Sequence, residues 1–257
     1  NVEGEHLMRA SQAVARIIAN GQRPIALGGD HLVTYPVLRA IASALGPVTI
    51  LHVDAHPDLY DEYDGDRLSH ACPFARIMEE GLARRLVQVG IRTMNAQQRA
   101  QADRCGVEVI DMRAWSGGAR PAVEGPVYIS IDLDGIDPAH APGVSHREPG
   151  GLSVRDVLDL VQRTNGPLVG ADVVELNPRR DPEGVDRGPA AVEKRGDAIG
   201  TSPAIEPLLQ FHGCLLVLLP RRLQGEDVGF QRRVFILRDD AFERRHFGVG
   251  VTTVAAV

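Results

Sequence analysis

The chain has 257 residues, 44% of them hydrophobic and 24% charged, with a net charge of −6. That is enough for one large α/β domain or two small ones, and it excludes a wholly disordered polypeptide. No basic stripe or polybasic helix suggests nucleic acid or an anionic membrane, and the longest strongly apolar run, residues 214–219, is far too short to span a bilayer.

Helix-like and strand-like segments alternate from residue 5 to about 178. Residues 5–20 carry Leu7, Met8, Ala13, Val14, Ile17 and Ile18 at a helical period. Residues 24–28 form a short apolar run, 32–45 are helical, and 48–53 read as a buried strand. A helix is predicted over 71–80, a strand over 86–91, a helix over 96–103 and a strand over 107–110. Strand 126–131, helix 153–163 with Ser153 as its cap, and strand 168–174 follow. Continuously apolar strands between helices predict a mostly parallel sheet covered on both faces.

Composition breaks near residue 185. Of six Phe only Phe74 precedes it, whereas all four Tyr do; Lys194 is the only lysine. The tail 185–257 has isolated apolar stretches, 215–219 and 234–237, split by Arg-rich and Gly-rich pieces. It is expected to form marginal hairpins or to be disordered. The chain begins at Asn1 rather than Met and reads as a fragment or a processed product; its first residues are polar and acidic, without a signal-peptide pattern. Cys72, Cys105 and Cys214 form no CxxC pair, which argues against a disulfide framework and a thiolate zinc site. A reducing, cytoplasmic setting is expected.

Four predicted strands run into acids or histidines: Gly28-Gly29-Asp30-His31, Asp54-Ala55-His56-Pro57-Asp58, Asp132-Leu133-Asp134, and Asp172 with Glu175. In a parallel sheet these strand ends share one edge, where ligands bind. Alternation along an extended chain would point Asp54, His56 and Asp58 the same way, and likewise Asp132 and Asp134. Carboxylates so crowded repel one another unless divalent cations neutralise them. Carboxylates and imidazoles without thiolate suit two ions, with Mn²⁺ favoured over Zn²⁺. The run Asp61, Glu62, Asp64, Asp66 reads as a solvated loop at the site mouth and Asp137 as structural. His52 reads as a satisfied core histidine; His140, His146, His212 and His246 read as ordinary surface or packing residues.

GGDH at 28–31, DAHPD at 54–58 and SIDLDGIDP at 130–138 resemble the metal motifs of the ureohydrolases, the arginase and agmatinase superfamily. The flanking stretches 59–92, 143–158 and 169–181 more closely resemble plant-type arginases and their bacterial relatives. The resemblance implies a three-layer arginase-like α/β fold in a single domain. Residues 1–184 would form it, without the usual N-terminal segment, followed by an atypical tail over 185–257. A frameshift or gene-prediction error would account for the compositional break; a genuine fused tail is the alternative.

By position, the resemblance implies that His31, Asp54, Asp58 and Asp132 hold one manganese and Asp54, His56, Asp132 and Asp134 the other. A hydroxide between the two Mn²⁺ ions would be the nucleophile, with Asp58 orienting it. Glu175 would pair with the guanidinium, and His70 would pass a proton to the leaving amine. Leu59-Tyr60 stands where animal arginases carry an Asn, as in plant-type arginases and agmatinases. The closeness of the resemblance to plant-type arginases makes L-arginine the expected substrate, agmatine the alternative, and an inactive truncated fragment the non-enzyme reading. A homo-oligomer, trimer or hexamer, is implied as well. No GxGxxG or P-loop lysine supports a nucleotide-binding module. A zinc deacetylase would use one metal and would not need Glu175.

Overall fold

The computed structural model describes residues 2–181, 233–237 and 252–256. In chain order the elements are α1 (Val2–Ala19), β1 (Pro24–Leu27), α2 (Thr34–Leu45), β2 (Val48–Val53), α3 (Pro73–Glu79), β3 (Ala83–Ile91), α4 (Ala96–Cys105), β4 (Glu108–Asp111), α5 (Met112–Ser116), β5 (Val127–Asp132), α6 (Val154–Arg163), β6 (Leu168–Val174), β7 (Arg233–Leu237) and β8 (Thr252–Ala256). The sheet runs β4-β3-β2-β5-β6-β1-β8-β7. The first six of these strands are mutually parallel, while β8 pairs antiparallel with both β1 and β7. This is the expected three-layer α/β fold. Among the described residues no helix is long and apolar enough to cross a membrane.

Side chains alternate across the sheet, so each strand feeds two cores. Leu51, Val53, Ile129, Ile131 and Val173 pack with Trp115 of α5 and Val157, Leu160 and Val161 of α6. Ile50, Leu86, Ala26 and Tyr128 pack on the other face with Val14 and Ile17 of α1, Leu38 and Ile41 of α2, and Phe74 and Ile77 of α3. Because both faces are covered, β2 is buried at every position, and its sequence, apolar except for Thr49 and His52, lacks the strict alternation of a half-exposed strand.

The apolar segments fall where the periodicity predicts them, with ends displaced by a few residues. Helix α5 was not predicted. It is five residues long, too short to show a period, and is started by the Asp111 carboxylate accepting from Ala114 N at 2.7 Å. The predicted cap of α6 is present as a reciprocal box between Ser153 and Asp156. Of the two apolar stretches in the tail, 215–219 lies outside the described residues and 234–237 falls in β7.

β2, β5, β6 and β1 are consecutive in the sheet, and they are the four strands whose sequences run into acids and histidines. Their parallel alignment brings those ends to one edge.

Candidate metal centre

The turn after β1 begins with Gly28 and Gly29, both at positive φ (123° and 48°), a conformation that glycine adopts without penalty. It delivers His31 into a short 3-10 turn capped by the Asp30 carboxylate. His31 is fully buried. Its Nδ1 lies 3.2 Å from Asp54 Oδ2, 3.1 Å from Asp58 Oδ2 and 3.2 Å from Asp132 Oδ2, yet it has no hydrogen-bond partner of good geometry.

The other side of the ring explains the orphan. Asp172 Oδ2 accepts from Tyr128 OH (2.6 Å) and Thr34 Oγ1 (2.8 Å), and Asp172 Oδ1 accepts from Ser130 Oγ (2.7 Å). That uses the single proton of Ser130, so its oxygen accepts from His31 Nε2–H at 2.9 Å. The neutral ring is thereby left with its Nδ1 lone pair facing three carboxylates. Only a cation resolves that arrangement, and the donor set fits a metal ion. Burial opposes a charge on His31, but Asp132, Asp54 and Asp58 raise its pKa well above the ordinary range.

A second group adjoins the first and comprises Asp54, His56 and Asp134. His56 Nδ1 lies 3.2 Å from Asp134 Oδ2 and 3.5 Å from Asp54 Oδ1. Asp54 belongs to both groups, whereas Asp132 falls in the first. Asp54 Oδ2 is also 2.8 Å from His52 Nε2, whose Nδ1 faces Gln88 Nε2 at 3.0 Å. With both nitrogens engaged and its ring stacked on Phe74 at 3.9 Å, His52 is a satisfied core histidine. Burial lowers its pKa to about 4.

Burial and mutual repulsion shift the titration of the crowded carboxylates. Burial, then Asp134 and Asp54, push Asp132 well above the carboxylate range. Burial, then Asp54, raise Asp134 and take Asp58 to about 6. Asp54 alone is held low: three histidines around it overcome its burial. His56 is driven to about 12 against its burial by Asp134 and Asp54.

Side chains converge here for a reason other than extended alternation. β2 ends at Val53 and β5 at Asp132, and turns follow. Asp58 has φ +48°, and the Asp132 carboxylate caps the 3-10 turn that carries Asp134, accepting Asp134 N at 2.8 Å. Gly135 is required for this approach, because a Cβ there would lie 2.7 Å from Asp54 N and 2.9 Å from Asp54 Cα.

Above the two groups opens a cavity of about 170 Å³ lined by Asp58, His70, Asp134, His146 and Glu175 among others. All six predicted metal ligands, and both His70 and Glu175, are therefore in one place. Glu175 adopts φ +65°, donates its N–H to Gly29 O, and accepts His31 N on Oε1 at 3.0 Å. Burial, then Asp30, raise its pKa. Asp61 to Asp66 lie outside, on the mouth loop, as predicted, and Asp137 is structural, accepting from Ala139, Gly150 and Gly151 N.

The sequence assigned no site role to Ser130, Arg92 or His146, and marked Asp172 only as an acid at a strand end. Ser130 and Asp172 support His31 from below. Arg92, after β3, bonds the loops around Asp134. His146, read as ordinary, sits on the cavity rim with its ring parallel to His70 at 6.2 Å and edge-on to His56 at 5.7 Å. A Pro-Gly turn shortly after Asp134, returning the chain toward the strand ends, was the signal available for it. His140 is exposed, and His212 and His246 lie outside the described residues.

A sequence profile of the arginase family matches residues 1–193. The chain belongs to the arginase family. It is 52% identical over 191 residues to arginase 1, mitochondrial, of Arabidopsis thaliana, an alignment covering 70% of this chain and 56% of that protein. It is 39% identical over 196 residues to the mitochondrial guanidino acid hydrolase of Homo sapiens, covering 68% and 54%. Among solved structures, the arginase from Medicago truncatula superposes with a TM-score of 0.62 at 46% identity, over 78% of this chain and 58% of that one. The chain thus spans about half the length of the curated relatives it matches.

The cytoplasmic expectation is corrected by the same comparison, since these curated relatives are named as organellar proteins. Its physical basis was too weak. Unpaired cysteines speak for a reducing compartment, and that does not single out the cytoplasm.

Proposed function

We propose that this chain hydrolyses a guanidino group to urea and an amine, with L-arginine as substrate and L-ornithine as product. The observation that carries the reading is the pair of adjoining His/Asp groups sharing Asp54 beneath a cavity that holds His70 and Glu175. The 52% identity to a plant arginase favours arginine over agmatine. Residues 1–184 form the catalytic unit in this reading, and it assembles as a homo-oligomer, a trimer or hexamer.

His31, Asp54, Asp58 and Asp132 would hold one Mn²⁺ and Asp54, His56, Asp132 and Asp134 the other. Oxygen and imidazole donors without thiolate suit this ion. When bound, the ions offset the carboxylate charge and supply an activated water as nucleophile. Asp58, which lines the cavity, would orient the nucleophilic water toward the guanidinium carbon. Glu175, fixed by its bond to His31 N, pairs with the planar guanidinium fork. His70, at the cavity wall, gives a proton to the leaving amine nitrogen, general-acid work that imidazoles commonly do.

The test is urea release from arginine and from agmatine, side by side, with and without Mn²⁺. The expected result is Mn²⁺-dependent urea, faster from arginine. Faster release from agmatine would reassign the substrate, and no urea from either would leave the chain an inactive fragment.

A further inference from the structure

Arg92 lies between the two turns that carry the second metal group. All of its guanidinium bonds go to backbone carbonyls. Nε and Nη2 donate to Glu148 O at 3.0 and 2.6 Å, Nη2 to Asp134 O at 2.6 Å, and Nη1 to Gly90 O and Gly135 O at 3.1 and 3.2 Å. Its backbone N–H donates to Ala55 O at 2.9 Å. Ala55, between Asp54 and His56, in turn donates its N–H to Asp134 Oδ1 at 3.2 Å. One residue therefore touches the turn of Asp54 and His56, the turn of Asp134, and the rim segment 143–151 that presents His146. None of these bonds reaches the turn of His31 or the side chain of Asp58.

The choice of acceptors is informative. A guanidinium so close to Asp134 could pair with its carboxylate, and would then occupy an oxygen needed by a cation. Bonding the carbonyl instead leaves the ligand atoms free. A positive charge beside a cation site also repels the cation, so charge alone gives no reason for an arginine here. Geometry does: the planar fork spans four carbonyls at once, which the single nitrogen of a lysine does not. Room for it is kept by Gly151, where a Cβ would lie 2.8 Å from Arg92 Nη2.

We propose that Arg92 is a positioning residue for the second metal group, setting the turn of Asp54 and His56 against that of Asp134 and tying the rim segment 143–151 to both. This rests on the dinuclear reading above. It predicts selective damage. In the full chain, Mn²⁺ titration followed by calorimetry and electron paramagnetic resonance should give two ions and an exchange-coupled spectrum. Arg92→Lys and Arg92→Gln should each keep the ion of the His31 group and weaken the other by about 10- to 100-fold, as loss of an outer-shell partner does, leaving the spectrum of an isolated ion. Arg76→Lys, which changes an arginine remote from Asp134, should keep both. Unaltered affinities in Arg92→Lys with tighter binding in Arg92→Gln would overturn the proposal in favour of a pure charge effect. Equal weakening of both ions would overturn it in favour of general disruption. Should Arg92→Gln not fold, Arg92→Lys alone separates these outcomes. A wild-type chain that takes up fewer than two ions would defeat the dinuclear reading itself, and this proposal with it.

Discussion

At the floor of the site His31, Asp54, Asp132 and Asp134 are buried, and each is fixed by bonds from neighbouring strands and turns. At the rim, the segments 59–72 and 143–151 are held by two arginines, Arg76 and Arg92, and carry His70 and His146. The floor crowds carboxylates around two imidazoles, which a bound cation would offset. The rim is built from opposite charges and carbonyls, and it is stable without one. A single chain thus keeps its reactive centre strained and its entrance satisfied, so the two should respond differently to substitution, pH and salt.

The sharpest break is expected at the floor. Asp54 belongs to both candidate groups, so Asp54→Ala should abolish uptake of both ions and all turnover, as calorimetry and urea release would register. An Asp54→Ala chain that still takes up two ions would deny this residue its shared role. Gly135→Ala should come next. Its Cβ would meet backbone atoms of Val53 and Asp54 inside 3.1 Å, and backbone cannot swing aside. A cost of about 3 kcal/mol in urea denaturation is expected, at the upper end for overpacking, together with loss of metal affinity.

Comparable in size is a pH effect confined to the metal-free floor. Burial and the neighbouring Asp54 carboxylate push the folded pKa of Asp58 up to about 6, above the ordinary carboxylate range. Its contribution is therefore favourable below about pH 4 and is lost as pH rises through about 6. The full loss is roughly 3 kcal/mol. Other groups titrate nearby, so the measurement is a difference: wild-type minus Asp58→Asn stability, metal-free, from pH 4 to 7. That difference should fall across the window and flatten when Mn²⁺ replaces the proton. A flat difference without metal would mean that Asp58 is not held against its neighbours' charge.

The same contrast explains what the sequence could tell. Floor residues follow apolar strands directly, so an apolar run ending in Asp54 or Asp132 announces both the element and the ligand. The reason given for their convergence did not hold, because turns and not extended alternation aim Asp58 and Asp134. Supports that depend on strand register were invisible. Ser130 meets Asp172 because β5 and β6 align those two positions, and nothing in the spacing of one sequence carries that pairing. Rim residues were harder still. His146 and Arg92 lie in irregular segments whose paths are set by long-range bonds to carbonyls, and carbonyls have no sequence signal. His52 was legible because a histidine inside a buried strand must satisfy both nitrogens, here with Asp54 and Gln88.

The smallest effects belong to the outer rim. Arg76 is buried, with Nη1 bonding Asp61 O (2.6 Å) and Arg67 O (3.1 Å), and its other nitrogens bonding the carboxylates of Asp61 and Glu79 at 2.9 Å. It ties α3 to the segment that carries Tyr63 and His70. Arg76→Lys loses the fork but keeps the charge, and a reduction in kcat/KM of about 3- to 10-fold is expected, equivalent to roughly 1 kcal/mol of misplacement. Arg67 pairs with the same Asp61 and Glu79 but stands half exposed, where water and salt screen it, so Arg67→Ala should change kcat/KM by less than about twofold. If Arg67→Ala proved the more damaging of the two, the rim would be held by its exposed pairs, and the distinction between a buried clamp and a screened one would fail where it is most easily measured.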